Sequence, residues 1–515
     1  MSTELADPAG SGDPVVAERR LPAPTAALIG VIALVVALGA GHLVAAFVGI
    51  EASPFLAVGN AAIDITPGWL KDFAVRAFGT ADKAVLLAGM AVVALALAVA
   101  AGIASRGRPA PGMVFVAVAG VLGGAAVFTR PNLGQLALLA PVASLVAGLA
   151  VFGWLHRTAL DGPYSSPARR NFLIAVLGAG VAGVAGQLVG TSRDAQGSRA
   201  AVGQLMPARP APPVPAAADF AKFGTPAFLT PNADFYRIDT AFVVPQVRTE
   251  DWSLRIHGMV EREITLSWSD IRNRPLVERL VTLCCVSNPV GGPYISTARF
   301  LGVDVADLLD EAGVRPGAEQ VFSTSEDGWT AGTPLSAMTD RGVGAMLAIG
   351  MNGEPLPIEH GFPARLVVPG LYGYVSATKW VRELEVTTWD ARTPYWLRRG
   401  WSQQAPVKTQ SRIDAPRGTV AAGRVRVAGT AWAQHTGVDR VEISVEDGPW
   451  LPAELSTEVN VDTWRMWWAD VDVPPGNHLV RVRATDRSGY TQTERVADVV
   501  PDGATGWHAT SFTAR

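Results

Sequence analysis

Two cysteines in 515 residues, adjacent at Cys284 and Cys285, exclude a disulfide framework, a zinc ribbon and a c-type haem motif. Charge is scarce as well: 17% of the chain is Asp, Glu, Lys or Arg, against roughly 25% in an average soluble protein. The shortage is local, because the first 200 residues hold 13 Lys/Arg and 10 Asp/Glu whereas the rest hold 30 and 36. A net charge of −3 leaves no basic footprint, so no nucleic-acid partner is expected. Paired axial histidines for a membrane haem are missing too, since His42 is the only histidine within an apolar run and His156 sits at the edge of another.

What the low-charge part does contain is long apolar runs: Thr25 to Ile50, Ala84 to Ala104, Met113 to Phe128, Leu133 to Leu155 and Phe172 to Val189. Each approaches or exceeds the roughly 17–25 residues a bilayer asks of a helix, so five spans are expected. Arg19, Arg20, Arg106, Arg108, Arg157, Arg169 and Arg170 fall on one side of them; Lys71, Arg76, Lys83 and Arg130 fall on the other. The positive-inside rule then puts the N-terminus in the cytoplasm and everything after Val189 outside the cytoplasmic membrane. The loop from Glu51 to Asp82 is external as well, with Trp69, Phe73 and Phe78 along the interface. Apolar cores without acids or bases speak against a pump or transporter. Small residues such as Gly39, Gly41, Gly120, Gly123 and Gly124 suit close helix packing in an anchor. Ahead of the fifth run, Arg169-Arg170-Asn171-Phe172-Leu173 resembles a twin-arginine (Tat) export signal, although two arginines also satisfy positive-inside alone.

Between Gly190 and Asp219 the composition turns to Pro, Ala and Gly, as in a semi-rigid spacer. Beyond it, β-rich runs (Trp252 to Ile256, Arg365 to Val368) alternate with helical ones (Val303 to Ala312), a mixed α and β pattern. The chemistry concentrates where a strand-like run ends at Cys284-Cys285 and passes into Val286-Ser287-Asn288-Pro289-Val290-Gly291-Gly292. A thiol there can ligate a metal, act as nucleophile or fill a core, and spacing alone does not choose.

The run Thr282-Leu283-Cys284-Cys285-Val286-Ser287-Asn288 resembles the Thr-Leu-x-Cys-x-x-Asn segment of the sulfite oxidase family of molybdopterin enzymes. Further segments match in the family's order: Asn232 to Asp239, Leu301 to Leu309, Met351 to Pro357, His360 to Gly370, and Lys379-Trp380. The resemblance extends from near Asp219 to the C-terminus. It implies a molybdenum–molybdopterin cofactor with Cys285 as metal ligand and Cys284 at the variable position. It further implies Asn232, Phe235, Tyr236, Arg237, Thr324, His360, Ala377 and Thr378 as cofactor contacts, with Arg365 and Lys379 as cations for the pterin phosphate. Arg237 and Trp401 are the expected catalytic companions of Cys285.

Departures from the family pattern bear on substrate. Pro289 follows Asn288 where sulfite oxidases place arginine, and Asp239 stands where they place histidine. Trp401, within Arg398 to Ser402, replaces their oxyanion-site tyrosine, and one residue is inserted between Tyr372 and Lys379. A pocket so altered suits a less charged molecule than sulfite. The expected activity is two-electron oxo transfer on a small or protein-bound S-oxide or N-oxide; a sulfite-type oxidase, or a cofactor-free binding or adhesion module, is the alternative. With no haem or iron–sulfur ligand set expected, electrons pass to or from a separate quinone or cytochrome.

From about Arg412, short alternating runs separated by turns indicate an antiparallel sandwich of immunoglobulin type. It resembles the family's dimerisation domain, which implies a homodimer. The fold expected is thus multidomain: a cytoplasmic tail (1–24), a five-helix transmembrane domain (25–189), a linker (190–219), an α+β molybdopterin domain (220–411) and an immunoglobulin-like β-sandwich (412–515).

Overall fold

A computed structural model of the chain describes residues 20–67, 70, 73, 77–78, 82–130, 133–160, 195–241 and 243–515. It divides into two compact units, Met1–Ser192 and Arg193–Arg515. The run from Phe172 to Val189, the Arg169-Arg170 pair, Trp69, Lys71 and Arg76 lie outside the described residues.

In the first unit, helices α1 (Ala23–Val48), α2 (Pro54–Ile65), α3 (Asp82–Ala104), α4 (Ala110–Phe128) and α5 (Leu139–Leu160) pack together. Among the described residues, four helical stretches, Ala23–Val48, Lys83–Ala104, Ala110–Phe128 and Gln135–Leu160, are long and apolar enough to cross a membrane. Glycine sets the approach of α1 to α3: a methyl on Gly30 would collide with the carbonyl of Ala98, and one on Gly102 with that of Ala26. The connection from Glu51 to Asp82, expected as a loop, carries α2. Pro54, at the first helical position where its missing N–H costs nothing, starts that helix. His156 is buried and bonded to the carbonyl of Ser105 at 2.6 Å, which ties the end of α5 to that of α3.

The second unit begins with a difference from expectation. The Pro/Ala-rich stretch does not run free, because helix α6 (Ala195–Val202) buries Ala195 and Val202 in the same apolar cluster as Leu205. Arg199 in α6 donates to the carbonyls of Leu356 (2.8 Å) and Pro355 (2.7 Å). The prolines that follow keep the backbone extended, and the amides that remain find partners: Ala208 N–H donates to the carbonyl of Leu276 at 2.8 Å.

Two sheets build the next layer. One orders β3 (Val277–Cys284), β4 (Ile295–Asp304), β7 (Met346–Met351) and β8 (Glu354–Pro355), with β9 (Arg365–Val367) also on β7. The other orders β2 (Ile264–Ser267), β1 (Ser253–Gly258), β10 (Val381–Thr387), β5 (Gln320–Ser325) and β6 (Thr330–Pro334). Its β1–β10 pair is parallel and its other pairs antiparallel. Helix α7 (Val305–Ala312) leaves β4 and ends at Gly313 in the left-handed region (φ 72°), the usual helix stop. A single cluster holding Leu254, Phe300, Leu309, Leu347 and Leu384 joins both sheets.

Toward the C-terminus, β11 (Gln410–Ala415), β13 (Gly423–Trp432), β17 (Arg465–Val473) and β16 (Glu454–Leu455) form a four-stranded sheet. A five-stranded one orders β12 (Thr419–Val420), β19 (His508–Ala514), β18 (Gly476–Asp486), β14 (Val438–Val445) and β15 (Leu451–Pro452). Alternating side chains of both, among them Val427, Trp467, Ile443, Val482 and Phe512, share one apolar core.

Candidate functional site

Strand β3 delivers the two cysteines to opposite fates. Side chains alternate along a strand, and the ladder continues one residue past β3, where Cys285 N–H donates to the carbonyl of Tyr294 at 2.9 Å. Cys284 therefore joins Val286 and Ile295 in an apolar cluster, while Cys285 faces a cavity that opens to solvent. Burial pushes both thiols up; for Cys285, hydrogen bonds from Ser287 work the other way. The loop beyond is pinned by Asn288, whose Oδ1 accepts from Tyr294 N–H at 2.8 Å.

Around the cavity stand Phe235, Tyr236, Asp239, His360, Arg365 and Lys379, with Ala377 beside them. Arg365, on β9, is 5% exposed; it donates to the carbonyls of His360 (3.3 Å) and Leu366 (3.4 Å) and lies over the Phe300 ring. Among the described residues no carboxylate pairs with it, and burial lowers its pKa to about 10. Lys379 is pushed by burial to about 8, against the pull of Asp239, whose Oδ2 accepts from its Nζ at 2.7 Å. The buried Trp380, held at φ 49° with its indole N–H on the carbonyl of Ile358 (2.8 Å), places its ring 4.5 Å from that ammonium. His360 donates through Nε2 to the carbonyl of Asn232 (3.1 Å); burial, then Arg365, depress its pKa to about 4, so the ring is neutral near pH 7.

Part of the lining is an aromatic cluster. Trp329, Trp396, Trp401 and Tyr374 form it, with Trp401 5.5 Å from the Tyr374 ring and 5.9 Å from that of Trp396. Tyr374 sits on α8 (Gly373–Ser376), its hydroxyl donating to the carbonyl of Ser402 at 2.6 Å. Asp327 also lines the cavity, its carboxyl pushed up by burial.

Four residues expected at the cofactor do not line this space. Thr324 points to the other face of β5, because alternation brings Ser325 to the cavity instead. Thr378 is buried behind it, bonded to Ser323 (2.7 Å). Asn232 gives its side chain to Asn352 (2.9 Å) and Glu354 (2.5 Å), and its carbonyl accepts from His360. Arg237 is half-exposed and bonded to Asp239 at 3.0 Å. Sequence reasoning passed over Ser325, Asp327, Trp329, Tyr374 and Trp396. The run of Trp380, Trp389, Trp396 and Trp401 was the one available signal, an aromatic density beyond what a small core needs.

A molybdopterin suits this donor set on physical grounds. A dithiolene-bound metal takes a single protein thiolate, and a buried guanidinium without a carboxylate is stabilised by an anion such as a phosphate.

Comparison with known proteins bears on the same region. Residues 241–396 match the family model described as the oxidoreductase molybdopterin binding domain. Mitochondrial sulfite oxidase of Macaca fascicularis is 30% identical over 325 residues, covering 53% of this chain and 59% of that protein. Sulfite oxidase of Gallus gallus is 31% identical over 322 residues, covering 53% of this chain and 70% of that one. The chain thus spans about 59% of the length of the macaque relative. Among solved structures, the sulfane dehydrogenase SoxCD from Paracoccus pantotrophus aligns with a TM-score of 0.47 at 23% identity, covering 55% of this chain and 80% of its own. With the avian enzyme matched over more than two thirds of its length, the chain belongs to the sulfite oxidase family of molybdopterin oxidoreductases.

Proposed function

We propose that this chain is a membrane-anchored oxidoreductase acting on the extracytoplasmic side, with Cys285 as the protein ligand of molybdenum. The observation that carries the reading is the pair of groups that line one cavity: the Cys285 thiol and a buried guanidinium, Arg365, in no ion pair among the described residues. Leaving such a cation uncompensated costs several kcal/mol, which an anionic ligand offsets. Lys379 adds a second cation, and Tyr236, His360 and Ala377 border the space a pterin would take. When bound, the cofactor supplies two-electron oxo transfer; the protein orients it and selects what reaches it.

Selection falls to the aromatic wall. An oxyanion needs cations, whereas Trp329, Trp396, Trp401 and Tyr374 offer ring faces and apolar area. An uncharged, dipolar S-oxide or N-oxide, small or carried on a protein, fits such a wall better than sulfite. The electron partner is a separate quinone or cytochrome. The four apolar helices, together with the run from Phe172 to Val189, anchor the chain with its N-terminus in the cytoplasm, and Arg169-Arg170 directs export of the folded domain. The C-terminal pair of sheets serves as an immunoglobulin-like dimerisation domain.

Metal analysis of the purified full-length protein tests this. The expected result is close to one molybdenum per chain, lost on Cys285→Ser and kept on Cys284→Ser, with a reduced dye oxidised by sulfoxides or amine oxides. A folded native protein without molybdenum defeats the proposal. Turnover of sulfite alone with an oxidising dye would replace the substrate class.

A further inference from the structure

The loop that follows the cysteines is backed by residues from far along the chain. Arg412, on β11, donates through Nη1 to the carbonyl of Gly292 at 2.8 Å, across 120 positions of sequence. That guanidinium is itself buried, 8% exposed, and paired through Nε with Asp414, 2% exposed, at 2.8 Å. Asp414 also accepts from the hydroxyl of Thr430 at 3.2 Å. Burying such a pair gives little net stability. The group it satisfies is a loop carbonyl seven residues after Cys285.

A second support stands one residue earlier. Gly291 has φ +75°, and the ring of His508 fills the space a side chain there would need. That ring is fixed in turn, because its Nδ1 accepts from Ile413 N–H at 2.9 Å, between Arg412 and Asp414. The strand ahead of the cysteines is gripped from the same side: Gln434 donates to the carbonyl of Thr282 and Trp464 N–H to its hydroxyl, both at 2.7 Å. Backbone on either side of Cys285 is therefore held by the C-terminal pair of sheets.

We propose that Arg412, with His508, is a positioning residue for the Cys285 thiol, and that the C-terminal sheets form the rear wall of the active site. A side chain at the end of a strand keeps its aim only if the loop behind it cannot shift, and a displacement of about 1 Å at a reacting group costs roughly 100-fold in rate. The inference rests on Cys285 being the reactive thiol, but its primary readout needs no cofactor.

In purified full-length protein stripped of cofactor, the rate at which iodoacetamide alkylates Cys285 is followed by fragment mass analysis, with Cys284 in the same peptide as an internal reference. Arg412→Met combined with Asp414→Asn removes the loop contact without stranding a buried charge. It is expected to raise the Cys285 rate at least fivefold and leave that of Cys284 within twofold. His508→Ala, which keeps the ion pair, is expected to raise it about threefold and decides the matter if the double variant does not fold. In the loaded protein the Mo(V) resonance should shift in both variants and return toward the native signature in Arg412→Lys. Folded variants with native alkylation rates and an unchanged resonance would overturn the proposal. Loss of the underlying reading shows differently, as molybdenum that stays bound in Cys285→Ser.

Discussion

At the scale of single residues, burial decides what the site's groups are at neutral pH. His360 has its pKa depressed from 6.5 to about 4, so the folded protein holds it neutral while the unfolded chain takes up a proton below about 6.5. Its contribution is complete above that pH and is lost as pH falls toward 4, up to about 3 kcal/mol. His508 is depressed to about 4 by burial as well and adds to the same window. The thermal midpoint of the cofactor-free protein should therefore fall steeply between pH 6.5 and 4, and His360→Gln should flatten part of that descent; an unaltered slope would count against a neutral buried ring. Legibility at this scale was uneven. Cys285 was separable from Cys284 by a matched motif, and Arg365, Lys379, Tyr236, Phe235, His360, Ala377 and Trp401 do line the cavity. Thr324 lies off the cavity lining because one step along a strand reverses the face, and no count of hydrophobicity in so short a run fixes that register. Asn232 and Arg237 bind to neighbours that only the fold brings near: Asn352 and Glu354 for the first, and for the second an Asp239 turned inward to Lys379.

At the scale of elements, long periodic or uniformly apolar segments were readable and short ones were not. Four apolar runs have become helices within a few residues of their expected ends, and β13, β14, β17 and β18 contain the alternating runs assigned to them. Helix α2 and helix α6 were missed: one is introduced by a proline that also suits a loop, and the other is eight residues long and stabilised by Arg199 bonding to carbonyls more than 150 positions away. Such a helix is made by its surroundings rather than by propensity. The α1–α3 crossing, by contrast, depends on two glycines. Gly102→Val should destabilise the first unit by about 1–3 kcal/mol, the usual cost of forcing atoms into a packed interface. Gly89→Val, on the same helix with open space around it, should leave the detergent-phase thermal midpoint unchanged. Equal midpoints for the two variants would contradict the close crossing.

For the whole molecule, the division into two units separates the four long apolar helices from the domain that matches the molybdopterin family. The uneven charge already marked that division, because a bilayer-facing helix excludes charge that a soluble sheet domain tolerates. Residues 193–515 expressed alone should bind cofactor and turn over substrate with an artificial dye within twofold of the full-length rate, yet exchange no electrons with a membrane quinol. Quinol-linked turnover by the isolated second unit would remove the anchor from the electron path. Composition indicated the two regimes, but not that the last hundred residues reach back to the cysteine loop, a contact made by sequence separation rather than pattern.

That contact also sets an order of events. Synthesis runs from the N-terminus, and the thiol at Cys285 leaves the ribosome more than two hundred residues before the imidazole of His508 that stands under its loop. During that interval the cysteine strand is complete but its support does not yet exist. On the proposed role of Cys285, productive capture of the cofactor is expected to wait until His508 has been made, and a chain cut ahead of β19 is expected to present the thiol without that support.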